Sequence, residues 1–303
     1  MQSWIPGSHT SDLVERSLPF SQSRRPTLSQ RFQRHRAAVI SLVVICILVL
    51  GAILADSITP YDAFDIDTNS VNLAPGMRHL MGTDDLGRDE FTRVLRGGRV
   101  SLTVGVLAVV ISVGFGTAVG SIAGFYGGRV DNLLMRATDV VISFPSLILM
   151  MIFAALLGKG IVSIALVIGL TSWMTVARLV RASFLSLKKQ EFVMAAVSIG
   201  MSDTRIATRH ILPNALGPII VAATLGVAEA IVAESALSYL GLGIQVPIPS
   251  WGGMLNLAQN QVESAPWLSI FPGALIFVTV LSINFAGDGL RDALDPRGMR
   301  RQA

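Results

Sequence analysis

Six apolar stretches, each near the length of a bilayer crossing, constrain this chain more than any other feature. The first, residues 37–55, holds nineteen uncharged residues. A helix of that length, at about 1.5 Å per residue, reaches most of the way across a hydrocarbon layer of roughly 30 Å. The others are 100–126, 140–157, 161–177, 215–228 with an extension past Glu229 and Glu234, and 267–287. Only 15% of the residues are charged and 51% are hydrophobic, whereas soluble domains carry about 25% charged residues. An all-α integral membrane fold with six transmembrane helices is expected, and an even number of crossings puts both ends on the same side.

Lysine and arginine decide which side that is. Of the 24 in the chain, eighteen fall in segments on the same side as the amino terminus and six on the other, so the positive-inside rule makes both termini cytoplasmic. Arg93, Arg96 and Arg99 run against the trend on the outer side, and Asp89 and Glu90 are expected to offset part of their charge. The chain then divides into a cytoplasmic basic tail over 1–36, a first transmembrane helix over 37–55, an external loop over 56–98, a five-helix core over 99–290 and a cytoplasmic tail over 291–303. A cleaved signal peptide is the rival for the first run, but its apolar region would be shorter, about 7 to 15 residues. The net charge of +4 does not imply a nucleic-acid partner, because the basic residues flank apolar segments instead of forming a stripe with aromatics; the surrounding partner is membrane lipid. The single cysteine, Cys46, excludes a disulfide framework or cysteine metal cluster.

Between the fourth and fifth runs lies SLKKQEFVMAAVSIGMSDTRIATRHILPNALGP, residues 186–218. Residues 188–198 contain no Gly or Pro and set Phe192, Ala195, Ala196 and Ile199 at i, i+3, i+4 and i+7, the spacing of an apolar helix face. Gly200 ends that helix. Ser202 or Asp203 caps a second one that runs to about His210, where Pro213 restricts the residues ahead of it. Helix, glycine turn, helix and proline describe a compact knob.

The knob resembles the cytoplasmic EAA loop of bacterial ABC import permeases, which reads Glu-Ala-Ala, three residues, Gly, nine residues, then Ile-x-Leu-Pro. Ala195, Ala196, Gly200, Leu212 and Pro213 match at that spacing, with Met194 at the Glu position and His210 at the Ile position. The His210-Ile211-Leu212-Pro213-Asn214 close is similar to the peptide and nickel subgroup. Gly82-Thr83-Asp84 with Gly87-Arg88-Asp89, Arg93, Gly98-Arg99 and Ser101-Leu102 looks like the signature ahead of the second span in C-type subunits of dipeptide, oligopeptide and nickel importers. Asn284-Phe285, Gly287-Asp288-Gly289-Leu290-Arg291-Asp292 and Leu294-Asp295-Pro296 look like their carboxyl-terminal signature.

The resemblance implies a type I ABC importer permease fold in a bacterial cytoplasmic (inner) membrane, with coupling helices at about 186–214. Glu191, Ala195, Ala196, Gly200, Asp203, His210, Leu212, Pro213 and Asn214 would then be the ATPase-coupling residues. It also implies a B-type permease partner, two ATP-binding subunits that use ATP and Mg, and an external solute-binding protein. The cargo would be di- or oligopeptides, with nickel or another small solute as the alternative. A proton-driven secondary transporter is the contrasting class and would need functional carboxylates within the spans.

The chain shows no chemistry of its own. It contains no Gly-x-x-x-x-Gly-Lys-Ser/Thr phosphate loop, and His9, His35, His79 and His210 are scattered. It is expected to bind no cofactor or metal and to act as a transport subunit, not an enzyme. Gly116, Gly120 and Gly124 line one helix face for close helix packing. Arg136 and Asp139, one turn apart, form a candidate pair at the start of the third span, which Pro145 then bends. Glu229 and Glu234 lie toward the outer face; they either hold a peptide amino group or a cation, or pair locally. Residues 240–253, rich in Gly and Pro, suit an outer gate or docking face.

Overall fold

The computed structural model describes Phe32 and residues 35–294, and every regular element among them is helical. The expected basic tail and the Asp295-Pro296 end of the carboxyl-terminal signature lie almost wholly outside the described residues. The main helices are α1 (Arg36–Ile53), α2 (Glu90–Tyr126), α3 (Gly128–Ile142), α4 (Ser146–Leu157), α5 (Ile161–Leu187), α6 (Glu191–Ser198), α7 (Leu212–Tyr239), α8 (Trp251–Ala258) and α9 (Trp267–Leu294). Five helical segments, those built on α1, α2, α5, α7 and α9, are long and apolar enough to cross a membrane.

The third expected span is not one straight helix. The chain breaks at residues 143–145, and α3 and α4 meet at 87°. Pro145 lacks an N–H and disfavours helical geometry in the residue before it, so the turn falls where the sequence allows no continuous ladder. Helix register shows that this bent pair makes the return crossing. Gly116, Gly120 and Gly124 of α2 face Val176, Val180 and Phe184 of α5 in that order, so α2 and α5 run parallel. The chain must therefore climb back from the level of Phe125 to that of Val104, about 32 Å along the axis, before α5 begins. Lys159, in the α4–α5 turn, donates to Gln245 at 3.0 Å and so sits at the far end. Six crossings result, and the described ends of α1 and α9 share one end of the bundle with α6.

The parallel pair is the backbone of the fold. A Cβ built on Gly116 would lie 2.6 Å from the Trp173 carbonyl oxygen, and one on Gly124 would lie 2.6 Å from Phe184 Cβ; at Gly120 the Ala177 carbonyl oxygen occupies the space. Gly169 returns the arrangement from α5, where a Cβ would lie 2.8 Å from the Ala108 carbonyl oxygen. Lipid gives helices no hydrophobic reason to associate, so such backbone approach supplies the dispersion contact that holds them.

At the opposite end, the 56–89 segment is tied to α2 by the three arginines that ran against the charge trend. Buried Arg93 donates to the Ala63 carbonyl at 3.0 Å and sits 3.5 Å from Asp84. Arg96 reaches Asp56 at 2.7 Å and Asp62 at 3.2 Å, and Arg99 reaches Asp56 at 3.0 Å. Their ion pairs are with Asp56, Asp62 and Asp84; Asp89 and Glu90, expected to offset part of this charge, form none with these three arginines among the described residues. Asp89 instead caps α2 through the Thr92 N–H and pairs with His79. Arg99 holds the Asp56 carboxyl below the usual carboxylate range, and the Phe64 N–H, followed by Arg96, does the same for Asp62.

Candidate docking loop and translocation groove

Helix α6 ends in a Schellman turn. Gly200 has φ of 76°, its N–H donates to the Val197 carbonyl at 2.9 Å, and the Met201 N–H donates to Ala196 at 3.2 Å. A Cβ at Gly200 would meet nothing within 4 Å, so glycine is required there by backbone angle and not by crowding. Val193 and Ala196 are the buried residues of α6; with Ile206 and Ile211 they pack into a cluster around Phe125 of α2 and Val180 and Phe184 of α5. The stripe picked out by its spacing is split: Ala196 faces the bundle, and the other three of its residues turn away from it. Phe192 is 42% exposed and Ile199 77%, and Ala195, Glu191 and Met194 are also exposed. This exposed apolar face lies at the end of the bundle.

Pro213 does not close the knob. The chain runs helically from Asp203 to Tyr239, 37 residues in all, through a π-helical turn at Ala207–Ile211. There the Leu212 N–H donates to Ala207, five residues back, which shifts the ladder just ahead of a residue that cannot donate. Asn214 caps the disturbed turn by donating to the His210 carbonyl at 2.7 Å. Asp203, Pro213 and Asn214 are exposed, whereas His210 and Leu212 are half-buried.

Ionic ties that the sequence reading missed fasten α3 and the loop to the parallel pair. Asp139 is paired with Arg178 of α5 at 2.7 Å, and not with Arg136, which makes no ion pair among the described residues. Asp131 takes both prongs of Arg181, with the Nη2 to Oδ2 distance at 2.6 Å. Lys188 donates to the Phe125 carbonyl at 2.6 Å and lies 5.1 Å from that ring's centroid. Spacing does not encode these ties: the acids are two turns apart on α3 and the arginines one turn apart on α5, and only the packing of the two helices brings them together. Because Arg178 and Asp139 are each about half exposed, Arg178→Ala should cost no more than about 1 kcal/mol of thermal stability. Arg136→Ala should leave the melting temperature where it was, and detergent-phase melts of the two variants separate the pairings.

A groove of about 620 Å³ opens between α4, α5, α7 and α9. Its polar lining includes Ser146, Thr171, Ser172, Thr175 and Asn284, and its one charged side chain is Glu229. A second cavity of about 200 Å³, toward α2, shares Ser172, Thr175 and Glu229. Glu234, five residues on, has the opposite fate: it is fully buried and accepts from Ser101 at 2.9 Å and Ser238 at 2.7 Å, pinning α7 to α2. The 240–253 segment also turns inward in part. Trp251 is 2% exposed, lies against Gly98 and donates to the Val94 carbonyl at 2.9 Å, so this part is core and not a free gate.

A multi-pass helical bundle with a protruding apolar helix at one end and a polar groove within it has the architecture of a membrane permease. A chain of the MetNI methionine ABC transporter in inward facing conformations shares the fold: the TM-score is 0.55 at 18% identity, over 67% of this chain and 96% of that one. The fold is that of a type I ABC importer permease. The family of the binding-protein-dependent transport system inner membrane component matches residues 116–300, and the N-terminal TM domain of oligopeptide transport permease C matches 28–75. Relatives include the dipeptide transport system permease protein DppC of Alkalihalophilus pseudofirmus, 42% identical over 88% of both chains. The oligopeptide transport system permease protein OppC of Haemophilus influenzae is 43% identical over 88% of this chain and 87% of its own, and the glutathione transport system permease protein GsiD of an Escherichia coli O6 strain is 44% identical over 88% and 89%. This chain belongs to the binding-protein-dependent transport system inner membrane component family.

Proposed function

We propose that the chain forms half of the translocation path of an ATP-driven peptide importer, with the α6 end and both termini in the cytoplasm. The single observation that carries the reading is α6 itself: keyed by Val193 and Ala196 into the ends of α2 and α5, it presents Phe192, Ala195 and Ile199 to an absent partner. A cytoplasmic ATP-binding subunit fits that face, and two such subunits, using ATP and Mg, serve this chain and a B-type permease partner. A solute-binding protein delivers cargo at the opposite end. The excess of Lys and Arg on the α6 side supports the orientation. The peptide cargo is inferred from the dipeptide, oligopeptide and glutathione permeases among the relatives.

In this mechanism the ATPases move α6, and the packing of Val193 and Ala196 against Phe125, Val180 and Phe184 carries the displacement to the parallel pair. That pair moves as one body because backbone touches backbone along it. The groove then faces one side and afterwards the other, driven by the different affinities of the ATPases for the two states. Bonds are broken in the partners alone.

The test is uptake of a radiolabelled tripeptide into proteoliposomes holding the complete transporter. Phe192→Asp combined with Ile199→Asp should lower uptake about tenfold or more, because it forces two charges into the centre of a docked surface. Membrane level and melting temperature should hold, since both positions are exposed. Uptake equal to wild type would contradict the docking assignment.

A further inference from the structure

We infer that Glu229 receives the amino terminus of the peptide inside the groove, an assignment that rests on the peptide-import reading and names the chemistry of its site. Glu229 lines both cavities and is exposed to them, and its carboxylate makes no hydrogen bond or ion pair with the described residues. Ten residues separate it from the end of α7 at Tyr239, about 15 Å, and seventeen from Leu212, about 25 Å, which places it well inside the bilayer. An ionisable side chain at such depth with no partner among the described residues marks a functional position. Glu234 shows what local satisfaction looks like in the same helix.

The groove's volume, about 620 Å³, suits a short peptide. Beyond Glu229 the wall offers hydroxyls and an amide from Thr171, Ser172, Thr175 and Asn284, which accept varied side chains. The ammonium is the one positive group that unmodified peptides share, so a single carboxylate engages cargo whatever its sequence. A metal cation is a poorer fit: no group of three His, Cys, Asp or Glu side chains converges among the described residues.

The experiment titrates the permease–ATPase complex in nanodiscs, without binding protein, with Ala-Ala-Ala and with its N-acetyl form. Wild type should bind the free-amino peptide about tenfold more tightly, the worth of one charge-assisted hydrogen bond. The difference should vanish in Glu229→Gln and persist in part in Glu229→Asp. Equal affinities in wild type, or a difference that survives Glu229→Gln, would overturn the assignment, as would a carboxylate that proves to be held by the second permease and binds neither peptide. Uptake of Ala-Ala-Ala by wild-type proteoliposomes with binding protein and ATP separates the two failures. If uptake occurs without the affinity difference, this inference alone is lost; if no peptide is taken up, the peptide-import reading goes with it.

Discussion

Gly120→Leu will abolish folded protein, while Gly114→Leu on the same helix will not. The Ala177 carbonyl oxygen sits where a side chain at Gly120 would begin, and Val180 Cβ would lie 2.9 Å from the first added carbon. Neither neighbour can rotate away, since one is backbone and the other is the root of a β-branched side chain that is itself fully buried. The helices must separate, and the contacts at Gly116 and Gly124 are lost with them; overpacking of this kind costs roughly 3 kcal/mol or more. At Gly114 a Cβ meets nothing within 4 Å, so the same leucine adds hydrophobicity without a clash. Yield of monodisperse protein after detergent extraction reads the result directly. Comparable yields from both variants would mean that α2 and α5 are not packed in this register.

Trp251→Ala should be nearly as damaging, at about 3 to 5 kcal/mol. The indole is buried at the far end, where it fills the space beside Gly98 and its N–H satisfies the Val94 carbonyl. Ser101 also receives the Trp251 backbone N–H at 3.2 Å while donating to Glu234, so the tryptophan backbone, α2 and α7 meet at one hydroxyl. Trp251→Phe keeps most of the apolar volume and forfeits the hydrogen bond, a loss of about 1 kcal/mol. Melts monitored by size-exclusion fluorescence should rank wild type above Trp251→Phe, and that variant well above Trp251→Ala. An alanine variant that melts with wild type would show that the 240–253 segment is not part of the core.

Much of this was legible in the residues, and most of the errors share a cause. Apolar runs located the spans because lipid demands uncharged side chains over a fixed length. The recurrence of glycine on one face of α2 pointed to a close approach because a missing side chain has few other uses there. What went astray involved partners far apart in sequence. Asp139 lies within reach of Arg136 on its own helix, yet α5 brings Arg178 alongside it. Arg96 and Arg99 find their acids some forty residues upstream, at Asp56, a pairing that no local spacing encodes. On α6 the 3.6-residue pattern grouped Ala196 with Phe192, Ala195 and Ile199, but the bundle takes Ala196 together with Val193 and leaves the other three exposed. Pro213 was read as a stop because a shift into π-helical register, which accommodates it, leaves no mark in the pattern.

The two glutamates of α7 teach the same lesson. In sequence they are alike, five residues apart in an apolar run. Their register against α2 and α5 separates them: one meets serine hydroxyls, the other the groove between α4, α5, α7 and α9. Helix α5 belongs to both places: it packs against α6 at one end and lines the groove through Thr171, Ser172 and Thr175.

The central claim is that the α6 knob lies on the cytoplasmic side, where an ATP-driven partner grips it. A single cysteine at Ser202, which is exposed beside the Gly200 turn, tests this most directly when introduced as Ser202→Cys with Cys46→Ala. A membrane-impermeant maleimide should label it in inside-out membrane vesicles and leave it unmodified in intact cells. Labelling in intact cells would put the knob outside, reverse every crossing and contradict the account.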